Sequence, residues 1–257
     1  MTLQELLPIW LIVCPLVFLA GLIDSVAGGG GLISLPSYLI AGLPAPLALG
    51  TNKCGNAFGT FLATGRFLKQ KQLHVPTAAA AAIAALAGSA LGSQLAMRVA
   101  AQFLNYLLLA VVPILGGFIL FQPQLGAEDK TGRHSPRALM AISVGIGFVV
   151  GGYDGFFGPG AGTFMMLAFT TLAGFDLLRA SGNTKVVNSA SNAASLVTFA
   201  LAGQVVWAVG IPAALCNILG SYIGSGLALK GGAKVIRPMF FVVLALLLAR
   251  LIYGLLA

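Results

Sequence analysis

The chain has 257 residues, 58% of them hydrophobic and only 8% charged, with a mean hydropathy of +0.98. That balance excludes a soluble globular domain and defines an integral membrane protein. Alternating segments of about ten residues are absent, which excludes a transmembrane β-barrel. The net charge of +8 lies in short loops beside apolar runs, where positive-inside orientation accounts for it, so nucleic acid is excluded as a partner.

In chain order, the first apolar segment is predicted over residues 8–26. Residues 1–7 carry Glu5 and no Lys or Arg, so the basic start of a signal peptide is missing and the segment is expected to be retained. It runs into Gly21-Leu22-Ile23-Asp24-Ser25-Val26-Ala27-Gly28-Gly29-Gly30-Gly31. A short segment follows at 31–42, then one at 51–67 that opens on Thr51-Asn52-Lys53-Cys54-Gly55-Asn56, then two more at 77–97 and 101–121. The stretch 122–137 carries Glu128, Asp129, Lys130, Arg133 and Arg137 and is read as a linker.

The second half repeats the first. A segment at 137–155 runs into Gly151-Gly152-Tyr153-Asp154-Gly155-Phe156-Phe157-Gly158-Pro159-Gly160-Ala161-Gly162; then come a short segment at 160–173 and longer ones at 183–202, 206–229 and 234–255. Asp154 follows Asp24 by 130 residues, whereas Lys185 follows Lys53, and Asn188 follows Asn56, by 132. One two-residue length change reconciles them. The register of 132 also aligns Gly88, Ser89, Gly92 and Ser93 with Gly220, Ser221, Gly224 and Ser225.

The predicted fold is therefore an all-α integral membrane protein. It is an inverted repeat of two five-segment halves: residues 1–121, a cytoplasmic linker at 122–137, and an inverted second repeat at 138–257. Each second segment, at about 1.5 Å per residue, is too short for a hydrocarbon core of roughly 30 Å and reads as a half-helix or re-entrant arm. Opposite orientation follows from loop charge. Arg66, Lys69, Lys71 and His74 follow the third segment of the first half, and the matching loop of the second has no charge; one loop later, Arg98 faces Lys230, Lys234 and Arg237. Both termini are then external.

Candidate site residues stand where polarity meets this apolar background. Gly28, Gly29 and Gly30, with Gly158 and Gly160, leave backbone N–H groups open at the start of a short helix, where an anion is favoured; the alternative is close helix packing. Packing is the preferred reading for Gly88, Gly92, Gly220 and Gly224. Lys53 with Asn56 and Thr60, and Lys185 with Asn188 and Asn192, form one polar stripe per half, expected to face the bundle interior, unless each lysine snorkels from a helix end. Thr51 and Asn183 are candidate N-caps.

Asp24 and Asp154 admit three roles: an ion pair with the lysine of the same repeat, a cap on the glycine turn, or a proton carrier. Cys14, Cys54 and Cys216 lack metal spacing and read as core residues, and His74 and His134 as loop residues, so neither metal nor cofactor is expected. Hydrolase and P-loop motifs are absent, and no enzyme activity is expected.

At these residues the chain resembles the sulfite exporter TauE/SafE family of bacterial transporters. The resemblance rests on 21–31, Thr51-Asn52-Lys53, 153–162, and Lys185 with Asn188. It implies movement of a small sulfur oxyanion or organosulfonate across the cytoplasmic (inner) membrane by a multi-pass protein, often outward. A bare monoanion leaving a negative interior gains about 2.3 kcal/mol per 100 mV, so export needs no proton. The expected partners are a small anion and the lipid bilayer, with a homodimer left open. The alternatives are an importer or channel for another small solute, or a membrane-embedded protein that does not transport.

Overall fold

A computed structural model describes residues 3–99, 126–239 and 241–243. The predicted segment 101–121, residues 244–255 of the last segment and 122–125 of the linker lie outside the described residues. Among the described residues the chain is helical and has no strand. Its helices include α1 (Leu3–Ala27), α2 (Gly31–Ile40), α3 (Ala45–Lys69), α4 (Val75–Ala96), α5 (Pro136–Phe156), α6 (Ala161–Thr171), α7 (Leu177–Leu201) and α8 (Trp207–Gly231), with a short 3₁₀ turn at Thr131–Arg133; residues 233–239 and 241–243 are helical as well.

Local chemistry sets several of these boundaries. Ser135 caps α5 through Ala138 N–H, and Pro136 follows it at the first helical position. Asp176 caps α7, accepting from Leu178 and Arg179 N–H at 2.9 and 3.0 Å. Helices α3 and α7 thus start well before the third segments expected from hydropathy. This removes one alternative and corrects one expectation. Lys53 and Lys185 sit two turns inside their helices, 2% and 0% exposed, so neither snorkels. Thr51 and Asn183 are not N-caps: each accepts a backbone N–H from the start of a neighbouring helix, Val206 at 3.0 Å and His74 at 2.9 Å.

Among the described residues four helices, α1, α4, α5 and α8, are long and apolar enough to cross a membrane; α2 and α6 are shorter apolar helices. The outer surface carries leucine and isoleucine, with Leu11 and Ile83 each 70% exposed. The interior holds an apolar core with serine, asparagine and lysine buried in it. The apolar exterior fits a bilayer as solvent, where outward-facing polar groups are costly.

Glycine sets how closely the main helix pairs approach. A Cβ at Gly220 or Gly224 of α8 would fall 2.0 or 2.2 Å from the carbonyls of Phe18 and Leu22 on α1. At Gly88 or Gly92 of α4 it would meet those of Phe148 and Gly152 on α5 at 2.2 and 2.1 Å. The two seams bear out the packing reading of these four glycines.

The same contacts give helix direction. Phe18 lies beside Gly220 and Leu22 beside Gly224, and Cys54 lies beside Gly210 while Arg66 bonds Ser225, so α1 and α3 both run parallel to α8. Helices α5 and α7 run parallel to α4: Ala81 lies beside Gly147 and Ser89 beside Gly155, and His74 and Ser93 bond Asn183 and Ser195. Between the groups, Gly50 lies beside Phe199 and Thr64 bonds Ser189, so α3 and α7 are antiparallel. Because α1 and α3 point the same way, α2 carries the chain back between them. At about 1.5 Å per residue its ten residues cover only roughly 15 Å.

Candidate functional site

The two glycine turns meet at the centre. Gly28 and Gly29 hold φ of +74° and +87°, and Gly158 and Gly160 hold +99° and +79°, a region that side chains disfavour. A Cβ on Gly28 would lie 2.4 Å from the Gly162 carbonyl carbon, so the turns touch backbone to backbone. Each turn ends one helix (α1 or α5) and starts a short one (α2 or α6).

Lysines from the middle of α3 and α7 reach across to the end of the opposite half's first helix. Lys53 Nζ donates to the Asp154 carbonyl at 2.5 Å and to its carboxylate at 2.8 Å. Lys185 Nζ donates to the Asp24 carbonyl and to its carboxylate at 3.3 Å. The last-turn carbonyls of a helix lack intrahelical partners and carry its negative end, so a cation there is stabilising. The pairs therefore cross between halves, which corrects the expectation of pairing within one repeat. Only tertiary packing decides that choice.

The pairs differ in tightness. Asp154 also accepts from Ser191 Oγ at 2.5 Å, and its side chain is 5% exposed. The other contacts of Asp24 are long, Gly30 N–H at 3.2 Å and Asn188 Nδ2 at 3.4 Å, and its side chain is 15% exposed.

Between the pairs lies a cavity of about 20 Å³, room for about one water. A sulfur atom with its oxygens does not fit at that size. Of the expected site residues, Gly29, Lys53, Asn56, Gly158, Asn188 and Asn192 line it, as do Asp24 and Asp154. Gly28, Gly30, Gly160 and Lys185 do not. Lys185 stands behind Asp24. The N–H groups of Gly28, Gly30 and Gly158 bond the Asp24 carbonyl, the Asp24 carboxylate and the Tyr153 carbonyl, so they are not open donors in this conformation.

Sequence reasoning missed Asn52, Asn217 and Ser191. Asn217 Nδ2 donates to Asn56 Oδ1 at 3.0 Å, and Asn52 accepts from Asn56 Nδ2 at 3.1 Å. Asn217 was visible as a lone amide in an apolar helix, but the register of 132 sets Ala85 opposite it. Symmetry gave it no signal. Among the described residues no His, Cys, Asp or Glu cluster could hold a metal.

A helical membrane protein with charged pairs enclosed around a central cavity is of the transporter class, and the comparisons give the same class. The model of the family described as Sulfite exporter TauE/SafE matches residues 13–251, and the chain belongs to that family. It is 41% identical over 237 residues to the Escherichia coli K12 protein named "Probable membrane transporter protein YfcA", covering 91% of this chain and 86% of that one. A Sinorhizobium protein, "Probable membrane transporter protein ORF9", is 38% identical over 91% of this chain and 89% of its own. A "Probable membrane transporter protein" of Haemophilus influenzae is also 38% identical, over 92% of this chain and 91% of its own. No solved structure matches.

Proposed function

We propose that the chain is a secondary carrier, without catalytic activity, that moves a small anion outward across the bacterial cytoplasmic membrane. The anion is a sulfur oxyanion or organosulfonate, and its site is the cavity between the glycine turns. The observation that carries this reading is the pair of buried lysine–aspartate ion pairs that flank one central, amide-lined cavity. Buried cations inside a membrane are costly, and such groups mark solute pathways. Lys53 and Lys185 supply charge, Asn56, Asn188 and Asn192 supply N–H donors, and the turns at Gly28–Gly30 and Gly158–Gly160 supply backbone donors once they separate.

The halves, residues 1–121 and 138–257, act as opposite-facing repeats joined by a cytoplasmic linker at 122–137. Support comes from helix direction: α1 and α3 run with α8, their counterparts α5 and α7 run with α4, and α3 opposes α7. Rocking one half against the other would widen the cavity to each side in turn.

The test is flux through purified protein in liposomes. Saturable entry of sulfite or a sulfonate is expected, lost in both Lys53→Ala and Lys185→Ala. Unchanged flux in both variants would remove the lysines from the site, and binding without flux would favour a protein that does not transport.

A further inference from the structure

Building on that carrier reading, we infer that Asp24 is a tethered stand-in for the substrate: the anion displaces its carboxylate from Lys185, and Asp24 takes up one proton as it leaves. Three observations converge on Asp24 rather than Asp154. Its carboxylate occupies the donors an oxyanion would use, Lys185 Nζ at 3.3 Å, Gly30 N–H at 3.2 Å and Asn188 Nδ2 at 3.4 Å. All three contacts are long, whereas Asp154 is held by Lys53 at 2.8 Å and Ser191 at 2.5 Å. Asp24 lines the cavity and screens Lys185, which does not reach it. An entering anion therefore meets the buried charge of Lys185 only by moving this carboxylate.

Charge balance supplies the proton. Two lysines and two aspartates make the closed site neutral, and a monoanion added to it would leave one uncompensated negative charge at membrane depth. The charged groups around Asp24 are Lys185 from α7 and, across the cavity, Lys53 from α3 and Asp154 from α5; the pocket side chains from α3 and α8 nearby are otherwise the neutral Asn52, Asn56, Thr60 and Asn217. Helices α2 and α6 bring no charged residue to it; the titratable Tyr38 of α2 is directed at Gly55 of α3. Lys53 is already engaged by Asp154, so among the described residues no second cation is free to neutralise a displaced Asp24 carboxylate. A proton bound to it restores neutrality.

Proton and anion then move together and electroneutrally. The potential-driven export open to a bare monoanion is closed, and outward movement then runs on the outward anion gradient against any inward proton gradient.

The experiment measures anion affinity against pH for the purified full-length chain and for Asp24→Asn, with sulfite and methanesulfonate as probes. Sulfite titrates on its own account, so the informative quantity is the difference in pH slope between the two proteins for the same probe. Wild-type affinity is expected to gain up to tenfold per pH unit of acidification more than the variant, with the variant binding at least as tightly as wild type at high pH. Equal slopes, or binding abolished in a folded Asp24→Asn, overturn the inference. No binding or flux of either probe by wild type overturns the carrier reading itself. Should Asp24→Asn not fold, wild-type liposome flux decides. Methanesulfonate flux indifferent to an imposed membrane potential but accompanied by internal acidification supports the inference, and flux that follows the potential overturns it.

Discussion

The two crossed ion pairs occupy equivalent places in the two halves, and both lysines hold the backbone carbonyl of their aspartate, yet one carboxylate is held tightly and the other loosely. Lys53–Asp154 is short, nearly sealed and braced by the Ser191 hydroxyl; Lys185–Asp24 is longer, three times as exposed at its carboxylate and braced by no hydroxyl. The cause can be traced to one position. The counterpart of Ser191 in the register of 132 is Gly59, and a Cβ there would fall 1.8 Å from Asn217 Oδ1. Asn217 takes the space and bonds Asn56 instead. A nearly symmetric framework thus holds its two carboxylates differently, and on the proposed mechanism Asp154 ties the halves together while Asp24 exchanges.

The largest test of that division is Lys53→Ala. Leaving Asp154 buried without its cation is expected to cost about 3–5 kcal/mol, read as a lowered unfolding midpoint in detergent. Lys185→Ala is expected to cost less, about 1–3 kcal/mol, because Asp24 is partly exposed and keeps its Gly30 and Asn188 donors, while flux is lost. A larger stability loss for Lys185→Ala than for Lys53→Ala would reverse the roles.

Ser191→Gly sharpens the comparison by giving the second half the first half's residue. Losing a hydrogen bond to a charged group is expected to cost about 1.5–3 kcal/mol, read as a lowered unfolding midpoint, and the single proton taken up on anion binding should then be shared between Asp154 and Asp24.

Away from both pairs the smallest effect is expected in the linker. There Asp129 accepts from Thr131, and Arg179 donates to its carboxylate at 2.9 Å. Burial raises the Asp129 carboxyl, but the Thr131 hydrogen bonds and the Arg179 charge outweigh it and hold the group below its ordinary value of 3.8. A lowered carboxyl contributes stability above its unfolded value and loses it as pH falls through the folded one. The pair is solvent-accessible, so Asp129→Asn should change the unfolding free energy by about 0–1 kcal/mol at neutral pH, with the difference vanishing in acid.

Much of the site was legible because it is written twice. Asp24 and Asp154, the glycine turns, Lys53 with Lys185, and the Asn56, Asn188 and Asn192 stripe were found by repetition against an apolar background, and all of them but Lys185, Gly28, Gly30 and Gly160 line one cavity. What repetition could not carry was asymmetry: Asn217 faces Ala85 in the register, and Ser191 faces Gly59. Hydropathy also misplaced the starts of α3 and α7, although Pro44 and the capping Asp176 marked them. Whether a lysine pairs within or across halves depends on how α3 and α7 lie against α5 and α1. No local signal specifies that.

The most direct measurement is the proton count on binding. Purified protein in weak buffer with a pH indicator is titrated with methanesulfonate, whose sulfonate keeps its single charge across the working range. One proton taken up per anion bound is expected for the wild-type chain, and none for Asp24→Asn. Binding without proton uptake, or uptake undiminished in Asp24→Asn, would contradict the assignment of Asp24 as the exchangeable carboxylate.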